Sequence, residues 1–591
     1  MNVKKPIPKI QARKLNLQRI QLAEKEGLHP VIAKILAARP YDAQYSPEAW
    51  LNLDLADLDL PEGLADLPKA LERLVKAFEN KEVIGLETDH DCDGQTSHAV
   101  LYEALITYYG YPKEKIRSYI GHRLKEGYGL SSALVTRILS DEPRPTLIIT
   151  ADNGSTDEAS IHQLKTQGID VIVTDHHEIP PEGVPKSAVA VLNPTRPDCN
   201  YPDRSIAGCM VAWLLMAALR QALIQSGLRK TLPKLGGLLD FVAVGTIADC
   251  VSIARSKNNR IVVNRGMSLI EKAKRPCWQV LLSTLSLPIH SEDLGFKIAP
   301  LLNSDGRLAC AFGSVSFLLS ESVLEARKWV AHLTEQNKER KLIQRRITDL
   351  ALEAASKQYQ AGKKSLCILL NDGHAGVHGI SASRIKDLFG RPTLIFCPKQ
   401  EDPNLITGSA RSIPGIHLKH TLQTVNDAHP GLIQKFGGHE GAAGLILTRD
   451  VFQHFSEVFE SVVQAQYSED LFGPVIWTDG ILPVEYYNEP FLEALSDQLE
   501  PFGREFEPPQ FEGKAEIASV EYMGAEKNHA RLKFWMEGIL REAVWFFCKE
   551  DEKAPEPVQP GEWVSVVYLP KIEVFQGNKR LICHIVYLDK C

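Results

Sequence analysis

From Val83 onward, short runs of Val, Ile and Leu alternate with amphipathic stretches. Val83–Leu86, Thr146–Thr150 and Val171–Thr174 are almost wholly apolar. Continuous apolar runs, unlike alternating ones, mark strands buried on both faces, as in a parallel sheet covered by helices. Each run stops at polar residues, and in such sheets ligands sit just outside the carboxyl ends of the strands. A fourth run, Ala243–Ala248, ends at Asp249 and reads as one more such end. The first 80 residues look helical instead, with Leu-rich amphipathic pieces such as Leu64–Phe78 and a break at Pro61-Glu62-Gly63.

Between Ser322 and Gln360 there is no Gly or Pro, and Glu, Lys, Arg, Leu and Ala dominate. One helix of about 39 residues would run roughly 58 Å. A helix-turn-helix pair fits the same pattern. The single helix is favoured because a second α/β texture starts directly after Gly362, with strands at Leu366–Leu370 and Thr393–Phe396 around a helical Ser381–Phe389. After about Gln466 the runs become short and rich in aromatic and β-branched residues: Ile517–Tyr522, Ala530–Met536, Ala543–Cys548, Trp563–Tyr568, Lys571–Phe575 and Arg580–Tyr587. Strands at this spacing fit a small barrel or sandwich. The expected fold class is therefore α/β, with a parallel-sheet domain, a long helix, a smaller α/β domain and a C-terminal all-β barrel. The boundaries expected are 1–80 for a helical region packing on the first α/β domain, 81–320 for that domain, 321–362 for the helix, 363–466 for the second α/β domain and 467–591 for the barrel.

Composition narrows the function. Hydrophobic residues make up 44% and charged residues 24%, the proportions of an ordinary globular protein. Lys and Arg number 67 against 74 Asp and Glu, a net charge of −7, which excludes a non-specific basic glue for nucleic acid but leaves room for a local basic groove. Eleven cysteines, an odd number without a C-x-x-C pair, argue against a disulfide framework and a structural zinc site. The apolar stretch Cys209–Leu219 is closed by Arg220 and is too short to span a bilayer. Met1–Arg19 is basic but has no apolar signal segment. A cytoplasmic location and no membrane partner are expected.

The strand ends carry the chemistry. The first runs into Glu87-Thr88-Asp89-His90-Asp91-Cys92-Asp93-Gly94, the second into Asp152-Asn153-Gly154, the third into Asp175-His176-His177, and Asp249 closes the fourth run. Each taken alone is an ordinary turn or helix cap. Together they bring many carboxylates to one edge, where a pair about 4 Å apart repels by roughly 4 kcal/mol at an effective dielectric of 20. The D-x-D-x-D-G run is not an EF-hand loop, because Val100 and Leu101 stand where the bidentate Glu should be. Carboxylates with one or two imidazoles and no thiolate suit Mg²⁺ or Mn²⁺ better than zinc, and the oxygens suffice for two ions, an arrangement that hydrolyses phosphoesters.

These four segments resemble motifs I to IV of the DHH phosphoesterases. The resemblance extends through Arg123 with Glu126–Leu130, Asn193-Pro194, Asn303 with Gly306-Arg307-Leu308, Arg384-Ile385, Gly408–Ser412 and Gly437–Gly444 to the RecJ-type single-strand-specific exonucleases. It implies DHH and DHHA1 domains, an oligonucleotide-binding (OB) barrel, and an active site in the cleft between the first two. By the same resemblance Asp91, Asp93, Asp152, His176 and Asp249 would be metal ligands, with Asp89 and His177 in or just behind the ligand shell as catalytic groups. Arg123, Arg307 and Arg411 would hold the 5′ end of a strand, with Asn303 and Arg384 also facing substrate. Gly437, Gly438 and His439 would close on the scissile phosphate; glycines let backbone amides approach a phosphate and an imidazole can bond its oxygens. Three departures stand out. Glu87 takes a position where many relatives have histidine, and would ligate a metal or be left to solvent. Asp305 could pair with Arg307. His378 replaces an aliphatic residue, a packing change. In the barrel, Trp535, Phe546, Phe547, Tyr568 and Phe575 are candidate platforms for bases, and Arg531, Lys533, Lys571, Lys579 and Arg580 for phosphates, although many such aromatics are ordinary core.

The function implied is a metal-dependent exonuclease that degrades single-stranded DNA from its 5′ end to mononucleotides in recombination and repair, using a pair of Mn²⁺ or Mg²⁺ ions. Single-strand-binding protein and a helicase are the implied partners, and a monomer the implied state. Two other readings stay open: a small-substrate phosphodiesterase or pyrophosphatase, which needs no barrel, and a catalytically silent scaffold, which would not retain the motif aspartates.

Overall fold

The computed structural model describes residues 6–122, 126–285, 287–308, 311–399, 402–549, 552–575 and 578–591. Two compact units divide them. One is built mainly from Asp59–Val251 and Val262–Val475, the other from Ile10–Leu58, Ser252–Ile261 and Ile476–Cys591.

The first unit opens with helix α1 (Leu67–Asn80) and strand β1 (Ile84–Thr88), whose five residues are all buried. Helix α2 (Cys92–Glu103) follows at once, then β2 (Ile116–Ile120), β3 (Leu147–Ala151), β4 (Asp170–Thr174) and β5 (Ala190–Leu192). All pairings are parallel, in the order β2-β1-β3-β4-β5. The chain leaves β1 toward β2 on one side and returns past it to β3 on the other. That reversal opens a crevice at the carboxyl ends of β1 and β3. Helices α3 (Gly208–Gln225) and α4 (Leu239–Ala248) pack beside it.

Two expectations change here. The run Ala243–Ala248 is the second half of α4, not a strand. Eight of the ten residues of α4 are buried, and a helix apolar on every side lacks the periodicity that separates helix from strand. The stretch expected to end at Leu219 continues as helix through Arg220 to Gln225. Among the described residues α3 is the one helix long and apolar enough to cross a membrane, and 61% of it is buried in the protein.

After α5 (Ala299–Leu308), helix α6 runs unbroken through Val323–Gln360, 38 residues, capped by Ser322 Oγ, which accepts from Glu325 N. Its Ile347, Ala351 and Ala355 pack against the second α/β layer. That layer comprises β6 (Leu366–Leu369), α7 (Ala375–Phe389), β7 (Thr393–Pro398), β8 (Leu405–Arg411), α8 (Leu418–Ala428), β9 (Lys435–Gly438) and β10 (Ala442–Thr448). The sheet order is β9-β10-β8-β7-β6, with only β6 and β7 parallel.

In the second unit β11 (Phe511–Met523), β12 (His529–Met536), β13 (Ile539–Trp545), β14 (Trp563–Phe575) and β15 (Asn578–Lys590) close a barrel in the order β11-β12-β13-β15-β14. The two strands expected across Pro570 are one. Beyond Tyr568, β14 pairs with β15 alone, so its other edge tolerates a residue without an N–H. The segment 1–80, expected to pack as a whole on the first domain, divides. α1 belongs with the parallel sheet, where Arg196 Nη1 reaches Asp66 at its N-terminus (2.6 Å). Ile10–Leu58 groups with the barrel, because the buried Arg39 donates to both oxygens of Asp479 and to Glu507 O.

Candidate active site

Asp91 caps α2: its Oδ1 accepts from Asp93 N (2.9 Å) and Gly94 N (3.2 Å). Asp93, in the first turn of α2, accepts from Gly208 N (2.7 Å) and Cys209 N (3.0 Å) at the start of α3. The fit is tight. A Cβ on Gly208 would lie 2.8 Å from Asp152 Cβ, and one on Gly245 of α4 would lie 2.8 Å from Asp93 Oδ1. Glycine at both positions lets two helices press against the carboxylates. Asp152 itself sits at φ 64°, a region that aspartate enters more readily than most residues and that turns its side chain back toward the crevice.

Three overlapping groups of ligand atoms result, each within 4.8 Å of one another: Asp93, His176 and Asp249; Asp89, Asp91 and Asp152; Asp152, His176 and His177. Asp152 Oδ1 and His176 Nε2 lie 3.2 Å apart, yet both atoms are buried without a hydrogen-bond partner. His176 Nε2 is also 3.6 Å from Asp249 Oδ2. Burial, and then the charges of Asp93, Asp91, Asp89 and Asp249, push the Asp152 carboxyl well above its ordinary value. Burial and the same kind of repulsion raise Asp91. Burial and neighbouring His177 pull His176 down to about 4, which leaves a neutral imidazole with a lone pair to give. Crowded carboxylates, a neutral imidazole and two orphaned buried donor atoms are what a hard divalent cation would satisfy.

The roles of the residues behind this cluster were not read from sequence. Asp175 is the organiser: its oxygens accept from Ser155 N (3.0 Å), His176 N (2.7 Å), His177 N (3.1 Å) and His177 Nδ1 (2.7 Å). Burial opposes charge on His177, but Asp175 outweighs it and raises the imidazole to about 10. The His177 side chain is 43% exposed, and its Nε2 lies 3.4 Å from the Tyr128 hydroxyl, so the proton faces the open side of the crevice. Asn193 Nδ2 ties Ser155 Oγ to His177 O, which holds the loop after β4. The Asp-His-His spacing signalled ligands; that its Asp serves the backbone and a neighbouring ring becomes visible only when the loop is folded.

Glu87 neither joins the cluster nor meets solvent. It is 1% exposed and its Oε1 accepts from Asn153 Nδ2 (3.2 Å). Burial, then the Asp157 charge, push its carboxyl well above the ordinary value and favour the neutral acid. Asn303 uses its Oδ1 on Cys92 N (2.8 Å), which pins the start of α2. Asp305 turns away from Arg307: it accepts from Gly313 N (2.8 Å) and lies 3.2 Å from His332 Nε2. Arg307 donates instead to Gly376 O (2.9 Å) at the first turn of α7. His378 is more than packing, since its buried Nε2 accepts from His374 N (3.1 Å) and shapes the loop before α7. Arg384 faces α6, in a hollow with Asp349 and Leu352. Arg411 packs over Gly379 of α7, where a Cβ would meet its guanidinium at 2.6 Å.

Gly437, Gly438 and His439 form the exposed β9–β10 hairpin, with His439 Nδ1 accepting from Gly441 N (3.2 Å). Lys419 at the start of α8 pairs with Glu178, next to His177 (2.6 Å), so the second lobe borders the crevice. Arg123 lies outside the described residues, as does the side chain of Phe575. In the barrel, Tyr568 is core: it is fully buried and accepts from Arg541 Nη1 (2.7 Å). Lys579 is held by Glu489 and Glu493. Trp535, Phe546 and Phe547 remain exposed.

Family models match the chain in three places: the DHH family N-terminal domain at residues 83–246, the DHHA1 domain at 363–465 and the RecJ OB domain at 478–587. The single-stranded-DNA-specific exonuclease RecJ of Haemophilus influenzae is 32% identical over 585 residues, covering 96% of this chain and 98% of that protein. The fold is similar to the crystal structure of RecJ from Thermus thermophilus in complex with Mn²⁺, with a TM-score of 0.77 at 24% identity over 99% of this chain and 79% of that one. A crystal structure of exonuclease RecJ bound to manganese matches with a TM-score of 0.56 at 29% identity over 69% of this chain and 96% of that one. By these three domains in this order and by the extent of the identity, the chain belongs to the RecJ family of the DHH phosphoesterases.

Proposed function

We propose that the chain is a metal-dependent exonuclease that degrades single-stranded DNA from its 5′ end to mononucleotides, in recombination and repair. The observation that carries the chemistry is the pair of orphaned buried atoms, Asp152 Oδ1 and His176 Nε2, among carboxylates that burial and mutual repulsion hold away from their ordinary ionisation. Asp93, His176 and Asp249 would hold one ion and Asp89, Asp91 and Asp152 a second, Mn²⁺ or Mg²⁺. When bound, such ions supply acidified water and neutralise charge developing on the phosphoryl oxygens. The protein does the rest. Water adds to phosphorus, the bond from phosphorus to the 3′ oxygen breaks, and that oxygen needs a proton. His177, kept protonated by Asp175 and bonded at Nε2 only to the exposed Tyr128 hydroxyl, is placed to give it or to hold a phosphoryl oxygen. Arg307 and Arg411 supply cations for the strand, and the amides of Gly437 and Gly438 would close on the phosphate from the other side.

We further propose the working division 81–320, 321–362, 363–466 and 467–591, with 1–80 shared between the first and last of these, a monomer in the cytoplasm, and single-strand-binding protein and a helicase as partners. The test of the activity is degradation of a single-stranded oligomer labelled at either end, with Mn²⁺, Mg²⁺ or EDTA, alongside Asp91→Ala and Asp152→Ala proteins. Labelled mononucleotide released at once from the 5′-labelled strand only, lost with EDTA and at least 1,000-fold weaker in both variants, is the expected outcome. An intact oligomer with pyrophosphate cleaved would replace the reading with a small-substrate hydrolase. Strand binding without any cleavage would make the chain a scaffold.

A further inference from the structure

A short loop brings one aromatic ring to the mouth of the crevice. Its near end is fixed by Glu126, whose Oε2 accepts from His122 N (2.7 Å) while its own N–H donates to His122 O (2.7 Å). Its far end is fixed by Leu130, fully buried, whose N–H donates to Asp157 Oδ2 (2.9 Å). Between them Gly127 and Gly129 take φ 87° and 69°, where residues with a Cβ are strained, and a Cβ on Gly129 would lie 2.7 Å from Asp157 Oδ2. Two anchored ends and two left-handed glycines leave Tyr128 at the apex.

Tyr128 is 55% exposed. Tyr109, Tyr111 and Tyr119 of the same domain are the contrast: each is buried, with its hydroxyl donated to Met216 O, Glu82 O or Asp141 Oδ2. Rings that serve packing are treated in that way. Tyr128 instead meets the rings of His90 and His177 edge-on, with centroids 6.2 Å away in both cases, and its hydroxyl lies 3.4 Å from His177 Nε2. His90 is itself buried, its Nδ1 2.9 Å from Asp89 Oδ1. The ring is therefore set by the same two strand ends that carry the acidic cluster, yet more than half of its surface stays open.

The reaction selects what rests against that surface. His177 faces the 3′ oxygen that departs from phosphorus, and that oxygen belongs to the terminal nucleotide. A ring whose hydroxyl reaches His177 Nε2 thus lies within one nucleotide's breadth of the terminal sugar. Of the parts of that nucleotide, the phosphate calls for cations, which a phenol does not supply. The base is flat with two apolar faces, and it stacks on an exposed aromatic ring whatever its identity.

We propose that Tyr128 is the platform for the base of the 5′-terminal nucleotide, the one released in each cycle, and thereby sets that nucleotide against His177 and the ion-binding carboxylates. This inference rests on the exonuclease reading above.

The test measures kcat/KM for release of the first nucleotide by the full chain with Mn²⁺. The substrates are 5′-labelled thymidine 20-mers, intact or with a tetrahydrofuran abasic unit at the first or the second position, and the proteins are wild type, Tyr128→Phe, Tyr128→Leu and Tyr128→Ala. On the intact strand Tyr128→Ala and Tyr128→Leu should lower the rate about 5- to 150-fold, and Tyr128→Phe should stay within about threefold of wild type. Removing the first base should slow wild type by a similar factor and the Ala and Leu proteins by less than about twofold, the coupling expected of two groups in contact. Equal losses in these variants on intact and abasic strands would make the ring a structural prop and overturn the proposal. Coupling to the second base instead of the first, or a Tyr128→Phe protein as slow as Tyr128→Ala, overturns it too. A wild type that cleaves none of the strands removes the exonuclease reading itself, whereas cleavage without coupling removes this inference alone.

Discussion

At the scale of single residues, Asp152 concentrates the electrostatic cost of the site. A carboxyl with a raised folded pKa stabilises the fold only below its unfolded pKa of about 4, and that contribution is lost as pH rises through the folded value. For Asp152, raised by burial and four neighbouring carboxylates, the metal-free protein is therefore strained at neutral and alkaline pH. Asn keeps the shape, tolerates φ 64° and carries no charge. In EDTA at pH 8, Asp152→Asn should be more stable than the wild type by roughly 1–3 kcal/mol, and the gain should shrink toward pH 4. Adding Mn²⁺ should raise the wild-type Tm more at pH 8 than at pH 5.5, because protons compete for the same oxygens, and should raise the variant's Tm less, since only the Asp93, His176 and Asp249 set is left whole. Thermal melts at the three pH values decide it; a variant less stable than wild type in EDTA at pH 8 would remove the repulsion argument. At this scale the acidic cluster was legible, because carboxylates crowded at strand ends repel one another unless a cation joins them. Glu87, Asn303 and Asp305 were not, because their roles depend on which backbone amide or side chain the fold brings within about 3 Å.

Elements read well where an apolar run is short and flanked by breakers, as at β1, β3 and β4, or long and free of them, as at α6. They read poorly where burial removes the pattern. α4 looked like a strand because it is apolar all round, and β14 looked like two strands because sequence cannot show that one edge beyond Tyr568 is unpaired. The hairpin of β9 and β10 shows how an element separates structural from functional glycine. Gly438 has φ 146°, and a Cβ there would lie 2.3 Å from Ala442 O, so the turn itself demands glycine. Around Gly437 an added Cβ meets nothing within 4 Å, so the fold leaves that position open. Gly437→Ala should change stability by less than about 0.5 kcal/mol while lowering exonuclease kcat/KM at least tenfold, because a methyl would stand where the phosphate approaches. Gly438→Ala should cost roughly 1–3 kcal/mol. Paired melts and rate measurements separate the two; full activity in a stable Gly437→Ala protein would assign the hairpin to structure alone.

For the whole molecule, a net charge of −7 means that no long-range field draws a polyanion in. Under the proposed function attraction would come from a few cations, and the two proposed for the strand are anchored on backbone: Arg307 on Gly376 O and Arg411 on Ala410 O. A guanidinium carries five donors, so each can bond a phosphate while the second lobe holds its position. A path of three or four phosphate contacts predicts that log kcat/KM on a single strand falls with log salt with a slope of about −2 to −3. Arg411→Ala should lower the rate similarly on all sequences and flatten that slope by about 0.7. The measurement is a KCl series at fixed Mn²⁺ with oligomers of two different sequences. A slope near zero would mean that binding does not run through phosphates. A slope steeper than about −5 would require a basic surface far larger than this acidic chain offers, and the strand would then have to be held by residues that neither the crevice nor its bordering arginines contain.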